Sequence, residues 1–289
     1  MGKKRNYFIE GQLSLFDIQA LPIERQTPEE FIESLRHGDV YRYRTKTIRA
    51  GNMLECEIYP IYKRAEKKRA KKAQPSKTAQ ENLNHKNTKK KIMRLTNTNF
   101  KSGDLWLTVG YDDEHLPQTP EQARKDIVNY LRRIKNKRKR LNLPPLKYIY
   151  VTEWSQNGER VRCHHHLILS GDIERDDIEA LWRGGSYPHT RRLRVKEDCG
   201  LNGLAAYLSK GQKYEKRWGH SINLKPYDKA TVADRKITPR QAAKIALDRS
   251  AAPELFEKVC AGYTFRDIEI KRSDFVAGVY IYTQMYRRL

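Results

Sequence analysis

No stretch of this 289-residue chain approaches the roughly 18 consecutive apolar residues that a membrane-spanning helix requires. Its first ten residues have a basic start but neither a long apolar segment nor a small-residue cleavage site, so no secretory leader is expected. Cysteine is scarce: Cys56, Cys163, Cys199 and Cys260 lie far apart with no CxxC pair, in a chain long enough to fold without cross-links. They are expected to be reduced thiols of a cytoplasmic protein. No GxxxxGK[ST] phosphate loop occurs, so no P-loop motor is built in. Acidic residues are in deficit, 35 Asp+Glu against 58 Lys+Arg, and the net charge of +23 makes a polyanion the natural partner. Apolar residues reach only 38%, below the roughly 45–50% usual for globular domains, so a core is feasible while part of the chain stays solvated.

What is present is unevenly spread. From Lys63 to Arg94, 13 Lys/Arg face two acidic residues, and Lys67, Lys68, Arg69, Lys71, Lys72, Lys89, Lys90 and Lys91 are the cations expected to meet nucleic acid. Residues 63–99 therefore read as a basic arm or linker helix. Residues 1–62 read as an accessory region, with a helix starting at Thr27-Pro-Glu-Glu, where Thr27 caps, Pro28 suits the first position and Glu29 and Glu30 meet the positive end. Residues 100–289 read as the main domain with a C-terminal extension.

That domain alternates in period. Leu105–Tyr111 is rich in strand formers. Thr119-Pro-Glu-Gln then opens a helix whose Ile127, Tyr130, Leu131 and Ile134 follow a 3.6-residue repeat. Residues 147–153 and 161–169 are two further strands around Asn157-Gly158, a hairpin signal. A helix over 173–183, capped by Asp172 and stopped by Gly184-Gly185, precedes a strand over 190–195. The order βαββαβ predicts an α+β, ferredoxin-like fold: an antiparallel sheet with both helices on one face and the other face open. A further helix is expected over 201–210.

Along a strand, side chains alternate, so His164 and His166 share a face and His165 points away. That arrangement argues against a four-ligand structural zinc site and suits half of an open divalent site. If Asn157-Gly158 makes a two-residue turn, Glu153 falls opposite Arg162 and diagonal to His164 on the same face, as a third ligand; an odd-length turn would turn Glu153 away. Tyr207 and Lys210 stand at i, i+3 on one side of a helix. There a cation would favour the phenolate.

Three blocks in order, Leu107-Thr-Val-Gly-Tyr-Asp-Asp-Glu-His-Leu-Pro117, His164-His-His166 and Tyr207-Leu-Ser-Lys210, resemble the three motifs of the HUH endonuclease superfamily, specifically its rolling-circle replication initiators from phages and mobile elements. The likeness spans roughly residues 100–225, and departs at His165, where an apolar residue is usual, and at Gly110, where Thr is common. It implies nicking and rejoining of single-stranded or hairpin origin DNA through a 5′-phosphotyrosine on Tyr207 with help from Lys210. It also implies Mg²⁺ or Mn²⁺ held by His164, His166 and Glu153, a bacterial host and a host helicase. A single-tyrosine relaxase or transposase and a non-catalytic basic nucleic-acid-binding protein are the alternatives. Separately, Gln12-Leu13-Ser14-Leu15-Phe16 looks like the pentapeptide with which bacterial replication proteins dock on the β sliding clamp.

Overall fold

The computed structural model describes residues 40–62, 77–154, 162–208, 218–272 and 278–287. Two compact units emerge. Of the described residues, one combines those up to Thr88, residues 197–200 and those from Tyr227 onward; the other comprises those within Lys89–Lys196 and Leu201–Pro226. Residues 40–62 of the expected accessory region and the strands of the C-terminal part share one unit.

In the first unit, β1 (Val40–Ala50) and β2 (Met53–Tyr62) form a hairpin that turns at Gly51-Asn52, where Gly51 takes φ +59°. They join β8 (Thr231–Ala233), β9 (Thr264–Arg272) and β10 (Val279–Tyr286) in an antiparallel sheet of order β8-β1-β2-β10-β9. Tyr43, Ile58, Ile281 and Met285 pack with Phe256 and with Ala242, Ala243 and Ile245 from two short helices, α5 (Pro239–Leu247) and α6 (Ala252–Val259). A reciprocal Thr238–Gln241 capping box and Pro239 in the first turn start α5. All four cysteines of the chain are free and buried.

The second unit holds the expected core. Strands β3 (Leu105–Gly110), β4 (Tyr148–Glu153), β5 (His164–Leu169), β6 (His189–Arg192) and β7 (Trp218–His220) are all antiparallel, in the order β6-β3-β5-β4-β7. β5 lies between β3 and β4, which run parallel to each other across the gap: the split βαβ arrangement. Helix α2 (Pro120–Arg140) makes that crossover. Thr119 accepts from the Gln122 amide, and Ile127, Tyr130, Leu131 and Ile134 are buried against Leu105, Leu107, Val109, Leu167 and Leu169. Burying each such side chain contributes up to about 1.5–3 kcal/mol, which makes this layer the main support of the sheet.

The second crossover helix is shorter than its sequence pattern predicts. α3 spans only Arg175–Glu179, and its N-cap, Glu174, makes no side-chain cap. Asp172, expected to cap it, instead accepts from Arg138, a fully buried guanidinium that also donates to Pro144 and Ser170 carbonyls. The amides of Leu181 and Trp182 then bond carbonyls three residues back, and the Trp182 indole donates to Gly110 O at 2.7 Å, drawing the chain out of the helix toward the end of β3. Gly185 sits at φ +77° where an added Cβ would strike the Asp112 carboxylate.

The opposite face of the sheet is less open than expected. Ile149, Val151 and Ile168 on it are buried. At its β7 edge stands the part of α1 (Lys77–Asn99) from Lys89 onward, whose Lys91 ammonium lies over the Trp218 ring and whose Ile92, Met93 and Leu95 are buried. From Lys89 onward the basic segment is therefore part of this folded unit. Among the described residues no helix is long and apolar enough to cross a membrane.

Candidate metal centre

Two neighbouring rows of the second sheet build the site. Gly110, His164 and Glu153 are paired across β3, β5 and β4; one step along, Thr108, His166 and Val151 are paired, with Trp218 beyond. Directly paired residues share a face, and so do residues two apart on one strand, so Glu153, His164 and His166 project together. The parity argued from sequence is the one observed, but the register differs by two residues. Glu153 faces His164 directly, and among the described residues Trp154, Arg162 and Cys163 are off the ladder; residues 155–161, with Asn157-Gly158, lie outside the described residues. Arg162, expected opposite Glu153, is off the ladder and gives its guanidinium to Asp113 at 2.7 Å.

The three side chains form a group that could hold a metal ion, with one donor atom from each within 4.8 Å of the others. His164 Nε2 lies 3.1 Å from His166 Nε2 and 3.4 Å from Glu153 Oε2, and His166 Nε2 stands 3.6 Å from Glu153 Oε1. The outer nitrogens orient the rings. His164 Nδ1 is 2.8 Å from the Arg162 carbonyl, which can only accept, so this nitrogen carries the proton and Nε2 turns a lone pair inward. His166 Nδ1 is 3.0 Å from Thr108 Oγ1, and the Trp106 ring stacks on the same imidazole at 5.2 Å. Burial, and then the neighbouring His164, push the His166 pKa down to about 4, so its ring is neutral at pH 7 and free to ligate. A carboxylate and two imidazole nitrogens converging on one point are a donor set that a divalent cation fits.

His165 points to the other face, as the alternation requires. It is fully buried, with Nδ1 2.8 Å from Thr152 Oγ1 and Nε2 2.7 Å from Tyr111 Oη, and its ring meets Tyr111 and Trp182 edge-on. The polar partners explain how a histidine occupies a core position: neither ring nitrogen is left unpaired. Burial first, then the adjacent histidines, hold its pKa down to about 3.

The other sequence-predicted residues fall in three groups. Tyr207 belongs to α4 (Asn202–Leu208), a helix positioned by Asn97, whose side chain accepts from the Leu201 amide at 2.8 Å and donates to Asn202 Oδ1 at 2.6 Å. Of the basic segment, Lys89 and Lys91 are exposed on α1, whereas Lys90 is buried. Lys210, Lys67, Lys68, Arg69, Lys71 and Lys72, the Thr27 helix and Gln12, Leu13, Ser14, Leu15 and Phe16 lie outside the described residues. Thr108 and Trp106, which hold His166 from β3, were not singled out by sequence reasoning, although their spacing of two within a strand next to the histidine strand was the available signal.

Residues 104–212, from the end of the loop before β3 through α4, match the family model described as replication-associated protein ORF2/G2P. No curated protein and no solved structure matches the chain.

Proposed function

We propose that the protein is a replication initiator of the HUH type that nicks and rejoins single-stranded origin DNA. The observation that carries the reading is the convergence of Glu153, His164 and His166 on one sheet face, inside the segment that matches a replication-associated family. In this reading a divalent ion on the three side chains, Mn²⁺ or Mg²⁺, supplies positive charge to the scissile phosphate. Two imidazoles favour Mn²⁺ by ligand preference.

Tyr207 is the nucleophile. Its phenolic oxygen bonds to phosphorus as the bond from phosphorus to the 3′-oxygen breaks, leaving a 5′-phosphotyrosine and a 3′-hydroxyl; the phenolic proton is lost and the leaving oxygen gains one. Lys210, three residues on, orients the phenol and favours its charged form. Rejoining reverses the step when a 3′-hydroxyl attacks the phosphotyrosine. His166, neutral down to about pH 4, remains available as a ligand throughout the neutral range. Gln12–Phe16 extends the proposal to a partner, the bacterial sliding clamp, which would bring polymerase to the new 3′ end; unwinding falls to a separate helicase.

The test is incubation with single-stranded DNA of the source replicon and Mn²⁺, followed by denaturing gel analysis. A covalent protein–DNA adduct that forms with the native chain and disappears in Tyr207→Phe is expected, with DNA binding kept because only one hydroxyl is removed. An adduct that persists in Tyr207→Phe would refute the assignment.

A further inference from the structure

α2 is the most strongly charged element described, with nine Lys/Arg against Glu121 and Asp126 in 21 residues. Its two flanks are treated differently by the fold. Toward α3, the cations are partnered: Lys137 pairs with Asp177 at 2.8 Å, Arg138 is buried on Asp172, and Arg133 donates to the Leu181 carbonyl. The other flank, toward β4, carries Arg124, Arg132, Lys135 and Lys139 at helical spacing, all exposed, and among the described residues none of them has an acidic partner.

The helix dipole does not account for this flank. It favours cations in the last turn, which suits Lys139, but Arg124 lies near the positive end and Arg132 in the middle. Two tyrosines of β4 lie beside the stems: burial raises the Tyr150 phenol pKa and the nearby Arg124 guanidinium opposes that rise, and the Lys135 ammonium stands 5.1 Å from the Tyr148 ring centre. The single acid on this flank, Glu121, sits in the first turn, where the dipole holds it.

We infer that this flank of α2 is a docking ridge for the sugar–phosphate backbone of duplex DNA, on the face of the sheet opposite the Glu153–His164–His166 group. The inference takes DNA as the polyanion from the function proposed above, while its chemistry is independent of Tyr207. From Arg124 to Lys139 the helix rises about 22 Å, about two-thirds of one duplex turn, a span that can meet backbone phosphates on both sides of a groove. The ridge is held firmly, because the other side of the helix is in the core. It offers no open aromatic ring: Tyr150 is buried, and Lys135 lies over Tyr148. Single strands are gripped by stacking on such rings, whereas a row of cations without them reads a regular backbone.

The experiment measures binding of the full chain to a 30-base-pair duplex of arbitrary sequence between 50 and 200 mM salt, for the native protein and for R124Q/R132Q/K135Q/K139Q. Losing four phosphate contacts should make the salt dependence shallower by about 3.6 in log–log slope, a difference of about 10²-fold in affinity lost across that range. R132Q/K139Q, which leaves both tyrosine contacts intact, should lose about half as much slope and guards against a folding defect in the larger variant. Manganese-dependent cleavage of a short single-stranded oligonucleotide should be unchanged in both. An unchanged duplex slope in a folded variant, or a loss confined to single-stranded DNA, would overturn the ridge. Failure of the native chain to cleave would overturn the proposed function instead, and leave the duplex slope to decide the ridge.

Discussion

Replacing His165 by leucine should invert the order of stability of two proteins as the pH falls. At pH 7 the native ring is neutral in both folded and unfolded chains, and the fold benefits from its contacts with Tyr111 and Thr152. Leucine fills the apolar position but strands the Thr152 hydroxyl and leaves Tyr111 only its 3.4 Å contact with Asp126; two impaired buried groups cost about 2–3 kcal/mol together. The sign of the titration follows from the folded pKa lying near 3, below the unfolded value of about 6.5. Between those limits the unfolded chain binds a proton that the folded chain cannot. Native stability therefore falls with decreasing pH by about 1.4 kcal/mol per unit below 6.5, a contribution absent from the leucine variant. His166, held down by burial and His164, titrates in both proteins and cancels. The stabilities should cross near pH 5, where the titration has removed about 2 kcal/mol. All four tryptophans, Trp106, Trp154, Trp182 and Trp218, belong to the second unit, so urea unfolding followed by tryptophan fluorescence in chelator reports on that unit. A stability difference that stays constant from pH 7 to pH 4.5 would refute both the buried-neutral assignment and the reasoning from it.

Three further outcomes are expected. Mn²⁺ binding, read by electron paramagnetic resonance of the free ion, should be lost in Glu153→Ala and His166→Ala and weakened about tenfold in Thr108→Val, which removes the partner that orients His166; equal affinity in Thr108→Val would separate that hydroxyl from the site. Arg138→Ala should lower the stability of the second unit by about 3 kcal/mol, since it empties the space of a fully buried side chain and removes the buried donor to the Ser170 carbonyl, and an unshifted urea midpoint would contradict this. A labelled peptide spanning Gly11–Asp17 should bind purified bacterial sliding clamp with a Kd of about 100 μM or tighter, equivalent to about −5.5 kcal/mol; no binding at that concentration would return the segment to a purely structural role.

The part of the fold that could be read in advance is the part whose signals are local. The Thr119 cap and the 3.6-residue repeat of α2 lie within one element, and the alternation that separates His165 from His164 and His166 needs only one strand. Even the error in register was harmless, because a shift of two residues keeps Glu153 on its face. Features set by distant partners were illegible. β2 pairs with β10 more than 200 positions along the chain, and nothing near Met53–Tyr62 announces it. Asp172 looked like a cap because its role depends on Arg138 from another helix, and α3 is short because Trp182 bonds to the end of β3.

The interleaving of the two units also orders events in time. β2 meets β1 at once but receives β10 on its other edge only after the whole of β3 to β7 has been made. At about 5–20 residues per second, the roughly 200 intervening residues take some 10–40 s to synthesise. Through most of that interval both outer edges of the hairpin lack their partner strands, the feature that invites pairing with other chains; the strands of the histidine-bearing sheet are complete from His220, and β8 reaches β1 from Thr231. A chain cut short between Ala233 and Val279 thus has the triad's five strands and the β8 partner of β1, while β2 still lacks β10, and the risk of aggregation at that stage is concentrated on β2.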